Sequence, residues 1–159
     1  MPETQSLLYI KKRRSQRMFE YNFNLIKVVD GDTVDIDIDL GFGVWLRNQR
    51  IRIMGIDTPE SRTSDPVEKK YGILAKEQVE KYLVNCKKFK SFKDEKGKFG
   101  RILGDFEVYH STSGRWMLMA EAMIQENYGV RYHGQSKDLI VSEHLNNRTK
   151  LKERGIIPE

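Results

Sequence analysis

Asp30-Gly31-Asp32-Thr33-Val34-Asp35-Ile36-Asp37-Ile38-Asp39-Leu40 is the stretch on which the fold turns. From Val34 to Leu40, apolar and acidic residues alternate without a break, the period of two that lets a strand bury one face. Val34, Ile36, Ile38 and Leu40 fall on the inner face, and Asp35, Asp37 and Asp39 on a wet face pointing away from any polyanion. Asp30-Gly31 is a turn signal, so residues 23–30 before it read as the first strand of a hairpin. Gly41 and Gly43 mark the next turn, and residues 45–54 read as a third strand carrying Arg52. Residues 55–70, interrupted by Pro59 and Pro66, read as an irregular loop.

Beyond that loop the period changes. Ala75, Val79, Tyr82, Leu83 and Cys86 recur at helical spacing and predict a helix over residues 71–85. Two further strands fit residues 87–93 and 101–109, with the turn Asp94-Glu95-Lys96-Gly97 between them. Helices are expected over residues 119–127 and 139–152. Three strands, a helix, two strands and then helices make an α+β chain, mainly a β barrel with helices packed on it.

A chain of 159 residues has room for one core, so a single folded domain is expected over residues 21–159. Residues 1–20, with basic residues crowded between Lys11 and Arg17 and little periodicity, read as a flexible basic arm. A formal charge of +5 and a pI near 9.2 favour polyanionic partners. Cys86 is the only cysteine, which excludes an intrachain disulfide and a thiolate zinc site; a small buried apolar role is expected for it. Leu7 and Leu8 run straight into Lys11 and Lys12 rather than into an apolar signal core, and no apolar run is long enough to span a bilayer. A cytoplasmic protein with no membrane partner is the expectation.

Chemistry concentrates in three short stretches: Asp30-Gly31-Asp32-Thr33, Arg52 through Asp57-Thr58-Pro59-Glu60, and Lys98-Phe99-Gly100-Arg101. Asp32 and Asp57 offer hard oxygens to a divalent cation, Glu60 is spare for proton transfer, and two arginine forks match the planar oxygens of a phosphate. That is the kit for cutting a phosphodiester with a metal. A different metal reading fails: an EF-hand opening at Asp35 needs glycine at its sixth position and glutamate at its twelfth, where Leu40 and Leu46 stand. His110, His133 and His144 are too scattered for a zinc triad and read as structural or solvent-exposed. Lys98, next to the arginine motif, is a candidate phosphate contact, and Tyr71 and Tyr132 are candidates to hold a nucleotide by stacking or hydrogen bonding. Lys87, Lys88, Lys90 and Lys93 are candidates for a basic track, of which only part can share one strand face.

These motifs, in this order and together with Val67-Glu68-Lys69-Lys70-Tyr71-Gly72, resemble the staphylococcal nuclease (thermonuclease) family from about Val28 to about Val130. The resemblance implies a five-stranded OB-fold barrel with about three packed helices. It implies one bound Ca2+, with other divalent cations as alternatives, held by Asp32, Asp57 and the backbone carbonyl of Thr58. Arg52 and Arg101 then take the phosphate charge, and Glu60 orients or deprotonates the attacking water. The implied activity is an endonuclease of little sequence preference, acting on single-stranded or locally opened DNA, with RNA as a second candidate substrate. Cleavage at the P–O5′ bond would leave 3′-phosphate and 5′-hydroxyl ends. A monomer is expected, and metal and nucleotide should strengthen each other's binding.

Phe99 stands where the family commonly has tyrosine, Tyr132 and His133 match its late tyrosines only loosely, and the hairpin between Asp32 and Arg52 is longer than usual, with Phe42, Val44 and Trp45 at its tip. Two rivals follow. One is a noncatalytic OB module that binds nucleic acid or protein, and the other is a scaffold that binds protein through Phe42 and Trp45. Metal-dependent cleavage separates the enzyme from both.

Overall fold

A computed structural model describes residues 18–86, 88–96 and 101–156. The expected basic arm lies outside the described residues as far as Arg17, and the first strand already begins where that arm was expected to continue. The strands are β1 (Met18–Asp30), β2 (Thr33–Gly41), β3 (Val44–Ile53), β4 (Ile56–Asp57), β5 (Phe89–Lys96), β6 (Ile102–His110), β7 (Arg115–Leu118) and β8 (Val130–Arg131). The helices are α1 (Pro66–Leu83), α2 (Met119–Gln125) and α3 (Lys137–Glu153).

β1, β2 and β3 form an antiparallel meander, β5 returns to pair with β1, and β6 pairs with β5. β6 then meets β3 in parallel, with Ile51 opposite Ile102 and Arg52 opposite Leu103, and this pairing closes the ring. Among the described residues, five strands thus make a closed mixed barrel with three helices beside it. Closure leaves no free sheet edge around the core. Val34, Ile36, Ile51, Ile53, Phe89 and Phe106 are fully buried within the core cluster, each contributing about 1.5–3 kcal/mol by leaving water. α1 covers the barrel with Ala75, Val79 and Leu83, and α2 with Met119 and Met123. Buried Asp105 of β6 accepts from the backbone N–H of Ala120, which fixes the start of α2.

The inner face of β2 is as the alternation requires for Val34, Ile36 and Ile38. Leu40 departs from it: the register slips between Asp39 and Gly41, the hairpin runs on beyond the barrel, and Leu40 is 44% exposed. The acidic face is not simply wet either. Asp35 is only 5% exposed, gripped by Arg50 through Nε at 2.9 Å and Nη2 at 3.1 Å. Asp37 takes Arg47 Nη1 at 3.1 Å and the Asn48 N–H at 2.8 Å, and Asp39 takes the Gly41 N–H at 2.8 Å. The Asn48 amide and the Arg47 guanidinium hold the Asp37 carboxyl below its ordinary pKa. Cross-strand arginines, absent from the local pattern, explain why three aspartates tolerate one face.

α1 begins at Pro66, earlier than the periodicity suggested. Asp65 caps it, accepting from the backbone N–H groups of Val67 and Glu68, and Pro66 occupies the first turn, where a missing N–H costs nothing. β4, β7 and β8 were not expected. The candidate basic track is also altered: Lys90 is paired with Glu107 at 2.6 Å and Glu20 at 3.2 Å, and Lys88 donates to Asn22. The side chains of Lys87 and Lys93 lie outside the described residues. Cys86 is half-buried rather than buried; desolvation pushes its thiol up to about 11, and it donates to the Glu107 carbonyl.

Candidate active site

The barrel brings one end of the β1–β2 turn against the chain that follows β3. Asp32 sits in that turn, and its own carbonyl accepts from the Ile53 N–H at 2.8 Å, so the turn and the end of β3 are locked together. The Asp32 carboxylate is largely enclosed: Oδ1 accepts from the Thr33 hydroxyl at 2.9 Å, and Oδ2 from the Thr58 N–H at 3.2 Å. Arg52, opposite Thr33 in the β2–β3 register, lies between the two segments. Its Nη1 donates to the Ile53 carbonyl and its Nη2 to the Ile56 carbonyl, both at 2.7 Å, with Nη2 3.7 Å from Asp32 Oδ2. The guanidinium therefore holds the corner between β3 and β4 as well as carrying charge to the site. Its Nε has no partner among the described residues.

Beyond the positive-φ turn at Gly55, β4 delivers Asp57, and its pairing with β8 puts Asp57 opposite Val130. Thr58 is buried, and its hydroxyl oxygen has no hydrogen-bond partner among the described residues. Gly31 packs so closely on Thr58 and Ala75 that a Cβ there would stand 2.9 Å from both. Glu60 is exposed, while the backbone beside it is firmly held. The Ser61 N–H and hydroxyl both donate to Asp30 Oδ1, and Gly72 of α1 lies directly against the Glu60 carbonyl. Asp30 thus supports the turn, as expected, and Gly72 explains the glycine in the Tyr71-Gly72 motif: any side chain would strike backbone.

The structure brings Asp32, Arg52, Asp57 and Thr58 together and carries Glu60 on the same loop. Arg101 directly precedes β6, whose first residue, Ile102, pairs with Ile51 on the strand that carries Arg52. Lys98 lies outside the described residues. Tyr132, 47% exposed, is held by its N–H on the Gly55 carbonyl and presents part of its surface to solvent. Tyr71 does not: it is 4% exposed, with Arg148 of α3 lying 5.1 Å over its ring, so it has no open face for a base. Its hydroxyl is buried, without a hydrogen-bond partner among the described residues, beside a pocket with room for about one water.

One further side chain at the site comes from a histidine expected to be structural or solvent-exposed. His144 of α3 places Nε2 2.7 Å from Asp57 Oδ2, bridging residues far apart in sequence. No periodicity or motif signals that contact.

The oxygen chemistry of this cluster fits a hard divalent cation. Asp32 and Asp57 supply carboxylates, and the Thr58 carbonyl is a third oxygen. Among the described residues no group of three or more His, Cys, Asp or Glu side chains is placed to hold a metal.

Residues 50–156 match the family model for staphylococcal nuclease homologues. The chain belongs to that family. The matched stretch contains Arg52, Asp57, Thr58, Glu60 and Arg101; Asp32 precedes it and joins the site through its bonds to Thr58 and Ile53. Among curated relatives, the chain is 33% identical to a thermonuclease of Staphylococcus hyicus, over 53% of its own length and 47% of that protein's. It is 33% identical to a thermonuclease of Staphylococcus intermedius, over 48% and 43%. The chain thus spans less than half the length of these two thermonucleases. An uncharacterised protein of Methanocaldococcus jannaschii, MJ1439, is 28% identical over 86% of this chain and 70% of its own length.

Proposed function

We propose that this staphylococcal nuclease homologue is an endonuclease that hydrolyses phosphodiester bonds in DNA, and in RNA as a second substrate, with little sequence preference and with a divalent cation, Ca2+ first among them. The observation that carries the reading is the convergence of Asp32, Arg52 and the Ile56–Thr58 segment, with Thr58 N–H on Asp32 and Arg52 between them. Asp32, Asp57 and the Thr58 carbonyl would hold the cation. When bound, it supplies positive charge for the phosphate oxygens and acidity to a coordinated water.

The chain's own residues do the rest. Exposed Glu60 orients a water for in-line attack and accepts its proton as the new oxygen–phosphorus bond forms. Negative charge growing on the equatorial phosphate oxygens is met by the guanidinium groups of Arg52 and Arg101. The P–O5′ bond breaks, the leaving oxygen takes up a proton, and the ends are a 3′-phosphate and a 5′-hydroxyl. Tyr132 lies where a base can stack, which favours single-stranded or opened substrate. A basic surface speeds the encounter with the polyanion. The enzyme acts as a monomer in the cytoplasm.

The test is cleavage of plasmid and single-stranded DNA by wild type and by Glu60→Gln, each with Ca2+, Mg2+, Mn2+ or EDTA. Metal-dependent nicking that collapses in the variant supports the reading. DNA binding without cleavage under every metal condition would replace it with a noncatalytic OB module.

A further inference from the structure

We infer that His144 is a positioning residue for Asp57, holding one carboxylate oxygen so that the other faces the cation. The inference rests on the nuclease reading and adds to it a residue from the helix farthest along the described chain.

His144 is largely enclosed, and its Nε2 lies 2.7 Å from Asp57 Oδ2. An ionised carboxylate has only acceptors, so Nε2 carries the hydrogen and donates. Asp57 Oδ1 has no hydrogen bond among the described residues. One oxygen is therefore restrained and the other free, which is what a ligand held in a single orientation requires. Asp32, the opposite carboxylate, is restrained by its neighbours Thr33 and Thr58. Asp57 has no comparable support within its own loop; its restraint arrives from α3.

α3 does not depend on His144 for its seat. Asn147 donates to the Gly129 carbonyl and accepts from Asn127, and Arg154 clasps Glu126 just past the C-terminus of the helix. Leu151 is buried, and Arg148 covers Tyr71. Removing the imidazole therefore frees Asp57 while the helix stays docked.

The experiment compares wild type, His144→Ala and His144→Gln, since Gln keeps an N–H donor. Divalent-cation affinity is measured by calorimetry without nucleic acid, together with Tm and the cation dependence of cleavage. Partners that orient metal ligands are typically worth 10- to 100-fold in metal affinity. His144→Ala is expected to bind cation at least about 10-fold more weakly at near wild-type Tm, to need proportionately more cation for cleavage, and to recover rate when the cation is raised. His144→Gln should recover much of the affinity. Wild-type affinity in His144→Ala overturns the inference, as does equal loss in both variants with a lowered Tm and no rescue by cation. If wild type binds no divalent cation and cuts nothing, the nuclease reading falls and takes the inference with it, a result distinct from the other two.

Discussion

The two ends of the β2–β3 ladder are built on opposite plans. At the Thr33–Arg52 end, backbone and side chains are pinned from several directions: by Arg52, by Asp30 on Ser61, and by Gly31 and Gly72 against neighbouring backbone or side chains. At the Gly41–Val44 end, the chain leaves the barrel through Gly41, Phe42 and Gly43, all with positive φ, and Phe42 is fully exposed at 106%. The same pair of strands thus serves rigidity where chemistry is proposed and tolerance where none is. Local stability in a fold follows such differences in buried contact.

Substitutions at the two ends should separate accordingly. The largest expected effect is on rate: Glu60→Gln should lower kcat by about 10²–10⁴-fold while leaving Tm unchanged, because Glu60 is exposed and loses only its proton chemistry. Gly72→Ala should be the largest stability effect, at least about 3 kcal/mol, since the new methyl meets the Glu60 carbonyl and α1 or the loop must shift. Thermal unfolding would show it as a Tm lower by about 6–12 °C. A Gly72→Ala protein with wild-type Tm would mean that the pinned end yields as easily as the free one.

A smaller effect comes with pH. Burial opposes ionisation of Glu126, but hydrogen bonds from His110 and Thr112 and the charges of Arg154 and His110 together hold its carboxyl below the ordinary value. A folded-state pKa lowered in this way adds stability above the unfolded value, and that stability is lost as pH falls through the folded value. Wild type should therefore lose stability on acidification below about pH 4.5 more steeply than Glu126→Gln, read by denaturant unfolding at stepped pH. The smallest effect belongs to the far hairpin: Phe42→Ser should change stability by no more than about 0.5 kcal/mol and leave cleavage intact. Loss of cleavage there would move the tip into the substrate path and undo the contrast between the ends.

Much of the fold was legible because periodicity is local. The alternation at Val34–Ile38 and the helical spacing from Ala75 to Leu83 both correspond to buried faces. The start of α1 was also written in the chain, as Asp65-Pro66, a cap followed by a first-turn proline, but the two prolines of the loop masked it. β4 and β8 are each two residues long, too short for any period. At the site, Asp32, Asp57, Thr58 and Arg52 could be named because motif order carried them. Three facts could not: the burial of Asp35 by Arg50, the covering of Tyr71 by Arg148, and the approach of His144 to Asp57. Each depends on a partner fifteen or more residues away: the β2–β3 register brings Arg50 to Asp35, and the docked α3 brings Arg148 and His144 into range.

The parallel pairing of β3 with β6 has a consequence during synthesis. Asp32, Arg52, Asp57 and Glu60 all leave the ribosome before Ile102–Gly104, the segment that closes the barrel beside them. Until that segment emerges and travels back past α1 and β5, the growing chain can form the β2–β3 hairpin with its local bonds but not the closed barrel. The wall that β6 builds beside the proposed site is therefore the part of it completed late in synthesis.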